Sequence, residues 1–463
     1  MRIDSNIRPA DLKKPLEHLW ELSAAKINLI REEYDTSKGS PVFTHDGKYT
    51  TMGWTEWTQG FQFGGEIIQF DATDDRKFLE LGRKAVVDLM APHITHIGVH
   101  DHGFNNISTY GALRRLCSEG RIDACEWEKS FYDLAIKSSG AVQAVRWTRT
   151  AAGGGFVYSF NGPHSLFVDT IRSMRALAAA HRLGHTLFAE NDEKISLLER
   201  MIMHIEATAS YNVYYGEGRD SWDIYGRTVH EAIFNVNDGR YRCPSSQQGF
   251  SPFTTWTRGL AWAMCGFAEQ LEFMQVVDDR ELEAAGGRQR VEAMMMKAAR
   301  ATCDFYIENS SADGIPCWDT GAPNIRELGD YKTQKADPFN EYEPVDSSAA
   351  AIAAQGLMRL GKCLRERGQE EDGGRYIRAG LTVCRTLLDD PYISKDSKHQ
   401  GLLLHSVYHR PNGWDHIPPG RKVPCGESSM WGDYHMRELA LYLWRIINNN
   451  EYYTFFKGIE NQV

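Results

Sequence analysis

The sequence predicts an all-α protein whose helices close into a double ring, an (α/α)6 barrel. Three observations predict it. Apolar residues recur at helical spacing along most of the chain. Strand-like alternation is confined to short stretches, around 155–158 and 229–233. Helical segments dominate, yet they carry none of the sequence repeat that open helical solenoids show.

In order, the predicted helices run over 12–35, 57–71, 74–91, 103–119, 123–138, 164–183, 191–208, 253–274, 289–308, 347–362, 369–388 and 428–448. The pattern is clearest in two of them. Phe167, Ile171, Met174 and Ala178 fall on one helical face, as do Ala349, Ile352, Ala353, Gly356, Leu357 and Leu360. Gly184 and Gly361 are read as the residues that stop these two helices. Such a set forms six helical hairpins. The long connections, about 139–163, 209–252, 309–346 and 389–427, are each rich in Gly, Trp, Tyr, His or Asp. Long loops on a helical scaffold usually carry function. No Pro/Ser-rich linker divides the chain, so a single domain over 1–463 is expected.

Composition removes several classes. With 463 residues and a formal net charge of -10, the chain lacks the basic face that a nucleic-acid partner favours. No apolar run is long enough for a membrane span. The opening residues Met1-Arg2-Ile3-Asp4-Ser5-Asn6 lack a signal-peptide core, which predicts a cytoplasmic protein. The nine cysteines include no C-x-x-C pair and read as mostly buried free thiols, not as a disulfide framework or a zinc site. Twelve Trp, twenty Tyr and twenty Phe suit both carbohydrate faces and ordinary cores.

Two aspartates stand out. Asp101 lies in His100-Asp101-His102-Gly103-Phe104, where it can cap the helix that follows. Asp169 lies in the run Leu166-Phe167-Val168-Asp169-Thr170-Ile171, read as helical. An acid in apolar surroundings is costly to ionise, so its pKa is expected to rise into the range of a proton donor. Paired carboxylates in unlike environments are the usual equipment for acid/base work on sugars.

The segment from His230 to Trp262 is the most specific. It holds His230-Glu231, then Ser246-Gln247-Gln248-Gly249-Phe250-Ser251, then Thr255-Trp256-Thr257-Arg258-Gly259-Leu260-Ala261-Trp262. This resembles the H…QGYS…W-x-R-G-x-A-W pattern of glycoside hydrolase family 88, the unsaturated glucuronyl hydrolases. Further blocks resemble the family in its own order: Thr55-Glu56-Trp57-Thr58-Gln59-Gly60-Phe61, the His100–Phe104 segment, Phe167-Val168-Asp169-Thr170, Asp346-Ser347-Ser348-Ala349-Ala350 and Trp431-Gly432-Asp433-Tyr434. Together they span about residues 50–445. Arg172-Ser173 depart from the family's usual Met-Asn, and Arg172 could pair with Asp169 or meet a substrate anion.

The resemblance implies an (α/α)6 barrel and an enzyme that removes a 4,5-unsaturated uronic acid from lyase-generated oligosaccharides, of glycosaminoglycan or pectin origin. It does so by hydrating the C4=C5 vinyl ether, with no metal or cofactor. Neighbouring readings are a family 105 type unsaturated rhamnogalacturonyl hydrolase, a saturated-uronide glycosidase and a non-catalytic sugar-binding barrel. By resemblance Asp169 is the general acid/base, and Asp101 tunes it. Trp57, His230, Gln248, Arg258 and Trp262 are the substrate-binding candidates. Arg258 and Trp262, one turn apart on a helix, can offer a guanidinium to a carboxylate and a ring to a sugar. The bland alternative for Arg258 is an internal ion pair. Asp346 and Asp433 read as structural, Asp346 as a helix cap.

Overall fold

The structure, a computed structural model, describes residues 1–53 and 56–459. Thr55, the first residue of one family-like block, lies outside the described residues. In chain order the α-helices are α1 (Lys13–Glu33), α2 (Gln59–Thr73), α3 (Arg76–Leu89), α4 (Ala91–Ile94), α5 (His102–Asn106), α6 (Ala112–Ser118), α7 (Glu126–Val145), α8 (Thr170–Ser173), α9 (Arg175–Arg182), α10 (Leu197–Ala207), α11 (Thr257–Met274), α12 (Arg288–Asn309), α13 (Ser347–Glu366), α14 (Glu370–Leu387) and α15 (Met430–Ile447). A π-helical turn, Ile107–Gly111, joins α5 to α6 in one arm. Each predicted helical segment has a counterpart among these.

The arms alternate between two rings. In the inner ring α2 packs on α5, α5 on α8, α8 on α11, α11 on α13, α13 on α15, and α15 back on α2. The helices α1, α3, α7, α10, α12 and α14 lie outside them, each against inner-ring neighbours. This is the (α/α)6 barrel. Sequence explains the sorting. Every residue of α11 is buried, as a helix apolar nearly all round must be. In α3 only the stripe Phe78, Leu79, Gly82, Ala85 and Val86 is buried. One continuous apolar core runs from Ile7 to Ile459.

Helix starts follow side-chain caps. Asp75, Ser196, Asp346 and Ser429 each accept a backbone N–H from the first turn of α3, α10, α13 and α15. Asp346 is thus a cap, as read. Asp433 accepts the N–H groups of Leu402 and Leu403 and the Tyr49 hydroxyl, and so anchors the loop over 389–427.

Strands are short: β1 (Phe43–His45), β2 (Lys48–Thr50), β3 (Trp147–Arg149), β4 (Gly155–Val157), β5 (Ser165–Phe167), β6 (Leu187–Phe188), β7 (Lys194–Ile195), β8 (Glu231–Phe234) and β9 (Tyr241–Ser245). Three form an antiparallel sheet in the order β5-β8-β9, with Phe167 opposite Glu231 and Glu231 opposite Ser245.

Two expectations are corrected. The segment 164–183 is not one helix: Ser165–Phe167 is the strand β5, and helix begins only at Thr170. The β-rich composition of Leu166-Phe167-Val168 finds a partner in β8, and pairing wins over the helical period. Gly361 does not stop its helix. It lies inside α13, where a Cβ would come within 2.6 Å of the Gly373 carbonyl oxygen; it is a site of close helix approach, and Gly368 (φ +78) follows the end of α13. All nine cysteines are free, and only Cys125 and Cys243 are exposed. No helix among the described residues is long and apolar enough to cross a membrane.

Candidate active site

At one end of the barrel lies a cavity of about 450 Å³. Its walls include Asp101, Asp169, Trp57, Gln248, Arg258 and Trp262, together with His100, Phe104, Phe160, Phe167, Gln247, Trp256, Tyr408, His409 and Trp414. Six of the seven residues singled out from sequence therefore converge on one space. The seventh, His230, is buried behind the wall, its ring 4.3 Å from Phe167 and 4.7 Å from Trp256.

Two short helices deliver the acids. Asp101 immediately precedes α5, and Asp169 immediately precedes α8. Both stand at N-cap positions, yet neither side chain caps its helix, so both carboxylates are left for other work. The helices approach through Gly103: a Cβ there would lie 2.4 Å from Cα of Ser173. Only glycine allows that contact, which accounts for the glycine in the His100–Phe104 segment. On the other side, Val168 donates its N–H to the His230 carbonyl at 2.9 Å, so the sheet fixes the chain just before Asp169.

His100 is the group that joins the acids. Its Nε2 lies 3.5 Å from Asp169 Oδ1 and 3.7 Å from Asp101 Oδ1. Gln143 of α7 holds the His100 carbonyl at 2.8 Å. The ring packs beside Phe160 and edge-on to Phe167. In these surroundings the charges are strongly felt. Burial lowers the His100 pKa, but the two carboxylates outweigh it and hold it above the ordinary value. Burial raises Asp101, and the Asp169 charge adds to this, so Asp101 is held above the ordinary carboxylate range despite His100. Asp169 is the reverse. Burial pushes it up, but His100, then His230 and Arg258, pull it below the ordinary value. This corrects the expectation of a raised Asp169: its apolar sequence neighbours are not its spatial neighbours, which include three basic side chains.

Arg258 is buried with no ion-pair partner among the described residues. It donates to the carbonyls of Val407 (2.9 Å) and Tyr408 (2.7 Å) and to Gln248 Oε1 (2.8 Å). Its cation sits 4.7 Å from the Trp256 ring centroid and 4.8 Å from that of Trp431. The internal ion pair considered for it is not formed, and desolvation depresses its pKa. Gln248 is positioned through His230, whose Nδ1 accepts the backbone N–H groups of Gln247 and Gln248. That fixes the His230 proton on Nε2, a buried atom with no hydrogen-bond partner. Burial lowers the His230 pKa to about 4, so the ring is neutral. Trp57 stacks on Trp431 with centroids 5.1 Å apart, and Trp262 packs against Phe104 at 4.9 Å.

Arg172 meets neither Asp169 nor the cavity. It is fully buried between α11 and α15, bonded to both Glu269 oxygens at 3.0 Å and to Glu438 at 2.7 Å. Sequence reasoning gave no role to His100, Trp256, Tyr408, His409 or Trp414. The last three come from the loop 389–427, whose aromatic and His content was the available signal.

Fold and site together define a six-hairpin barrel with an aromatic-walled cavity, two carboxylates joined through His100, and Arg258, buried with no ion-pair partner among the described residues. No family model matches the chain. Along its sequence it is 23% identical over 408 residues to the unsaturated glucuronyl hydrolase of Bacillus sp. (strain GL1), covering 86% of this chain and 89% of that protein. It is 22% identical over 435 residues to the unsaturated chondroitin disaccharide hydrolase of Streptococcus agalactiae, covering 93% and 89%. The crystal structure of the Bacillus sp. GL1 enzyme superposes with a TM-score of 0.69 at 19% identity, over 96% of this chain and 99% of that one. The chain is thus similar along most of its length to unsaturated glucuronyl hydrolases and shares their barrel fold.

Proposed function

We propose that the chain is a single-domain glycoside hydrolase that removes a 4,5-unsaturated uronic acid from the non-reducing end of lyase-generated oligosaccharides, of glycosaminoglycan type. The observation that carries this reading is the Asp101–His100–Asp169 cluster set in one wall of a cavity that also presents Arg258 without an acid partner. The activities of the similar Bacillus and Streptococcus enzymes support it.

In this reading Arg258 takes the C6 carboxylate of the uronate, a charge-assisted pairing in a water-poor site. Gln248, held in place by His230 behind the wall, meets hydroxyl or carboxylate oxygens. Trp57 and Trp262 present rings to the sugar. Asp169 is ionised in the free site. A substrate carboxylate on Arg258 cancels part of the positive charge that keeps it so, and exclusion of water acts the same way; both raise its pKa. A proton then passes to Asp169, with His100 as the adjacent source. Asp169 donates it to C4. Positive charge develops at C5, next to the ring oxygen, and water adds there, losing its proton to the Asp169 carboxylate. The resulting hemiketal opens by breaking the bond from C5 to the ring oxygen. The hemiacetal left at C1 then expels the rest of the oligosaccharide. Asp101, held above the ordinary carboxylate range, meets substrate hydroxyls and disfavours two full charges on the pair.

Turnover in D2O tests the reading. Hydration places deuterium at C4 of a ring-opened keto sugar, detected by NMR. Release of a uronic acid that retains its double bond, without C4 label, would replace hydration by ordinary attack at the anomeric carbon.

A further inference from the structure

Strands β1 and β2 are joined by the turn Asp46-Gly47, both residues with positive φ (50° and 73°), as Asp-Gly hairpin turns require. The turn presents His45 and Asp46 beside His416, which comes from the loop over 389–427. His45 Nδ1 lies 3.1 Å from Asp46 Oδ2, and His416 Nε2 lies 3.2 Å from Asp46 Oδ1. The two imidazole centroids are 3.8 Å apart. One ligand atom from each of the three side chains lies within 4.8 Å of the other two. Nε2 of His416 is shielded from solvent, yet it makes no hydrogen bond even with the carboxylate beside it. His45 and Asp46 are exposed and His416 is partly buried, so an ion has a path in.

Two imidazole nitrogens and one carboxylate oxygen are the donor set that first-row divalent ions prefer, and a three-ligand site leaves a position for water. We propose that His45, Asp46 and His416 bind a divalent transition-metal ion, zinc being the best match, and that this ion staples the β1–β2 hairpin to the rim of the cavity. The connection to the rim is direct in sequence. Asp415, next to His416, accepts the backbone N–H groups of Tyr408 and His409, so it shapes the turn that brings Tyr408, His409 and Trp414 to the cavity wall. The hairpin is fixed beside the start of α15 through Thr44 N–H to the Ser428 carbonyl at 2.8 Å, and already meets the loop over 389–427 once through Gln400 N–H to the Gly47 carbonyl at 2.7 Å. An ion at this point adds a second tie between the hairpin and the long loop, close to the part that reaches the cavity wall. It takes no part in the chemistry, so the inference stands independently of the proposed reaction.

The test uses untagged protein, stripped with chelator and desalted, then titrated with Zn2+ by calorimetry and with Co2+ by visible absorption. One equivalent is expected to bind, with cobalt bands free of thiolate charge transfer, and zinc should raise Tm. Binding should be lost in His416→Ala and in His45→Ala, and weakened on the order of tenfold or more in Asp46→Asn; circular dichroism checks that each variant is folded. A wild-type protein that takes up no ion overturns the proposal. So does full uptake in both histidine variants, which would put the ion elsewhere, for instance on the exposed Cys125 or Cys243.

Discussion

His100 Nε2 stands 3.5 Å from Asp169 Oδ1, and this contact helps to hold Asp169 below the ordinary carboxylate value while Asp101 is held above it. It is reinforced by His230 and Arg258, and it outweighs the burial that would otherwise protonate Asp169. Replacing His100 by Gln removes the cation. His100, held above its ordinary value, is also the proton source in the proposed reaction, so once the proton must be held by a carboxylate alone the basic limb of the kcat/KM profile should move to lower pH. A limb that stays in place in His100→Gln would remove His100 as the proton source.

Arg258 gives a split in kinetic constants. Its guanidinium is buried without a carboxylate, and a substrate anion supplies one. Losing a charged hydrogen bond costs about 1.5–3 kcal/mol, so Arg258→Met should lower kcat/KM by roughly one to two orders of magnitude, mostly through KM. Steady-state kinetics on an unsaturated disaccharide check this. An unchanged KM would remove Arg258 from substrate binding.

Gly103 tests the geometry of the acid pair without touching either acid. A methyl group at this position collides with the Ser173 backbone, where its Cβ would lie 2.4 Å from Cα, and must drive α5 away from α8. Gly103→Ala should therefore lower both Tm and kcat. Full activity in the variant would show that the spacing of Asp101 and Asp169 is not critical.

Buried histidines set the response of stability to acid. Desolvation lowers His93, His102, His230, His405 and His409 to about 4 and His204 to about 3, against about 6.5 in an unfolded chain. Between those values the unfolded chain binds more protons than the folded one, so stability falls as pH drops from about 6.5 toward 4. His100, held above its ordinary value, works in the opposite sense but is a single group. The urea midpoint should decline steadily from pH 7 to pH 5; a flat midpoint over that range would contradict the neutral burial of these rings.

The sequence made the barrel legible because its inner helices must be apolar nearly all round, and α11 and α13 carry that period openly. It misread 164–183 because Leu166-Phe167-Val168 satisfies both a helical and a strand pattern, and only pairing with β8 decides between them. Six of the seven candidate site residues, drawn from short sequence blocks, line one cavity. Their charge states could not be read from those blocks. The pKa of Asp169 depends on His100, His230 and Arg258, which are far from it in sequence. The role of Arg172 was hidden for the same reason: Glu269 and Glu438, which hold it, lie on α11 and α15. The rim residues Tyr408, His409 and Trp414 lie in a loop whose composition marks it as functional, but no local rule brings it to the cavity.

The central claim is that Asp169 protonates a conjugated double bond. Ultraviolet absorbance of unsaturated chondroitin, heparin, alginate-type and rhamnogalacturonan disaccharides, followed over time with wild type and with Asp169→Asn, tests it most directly. The C4=C5 chromophore should disappear with wild type, fastest on a glycosaminoglycan disaccharide, and should disappear at least about a hundredfold more slowly with Asp169→Asn. A chromophore that persists across the panel, or one consumed equally fast by the Asn variant, would contradict it.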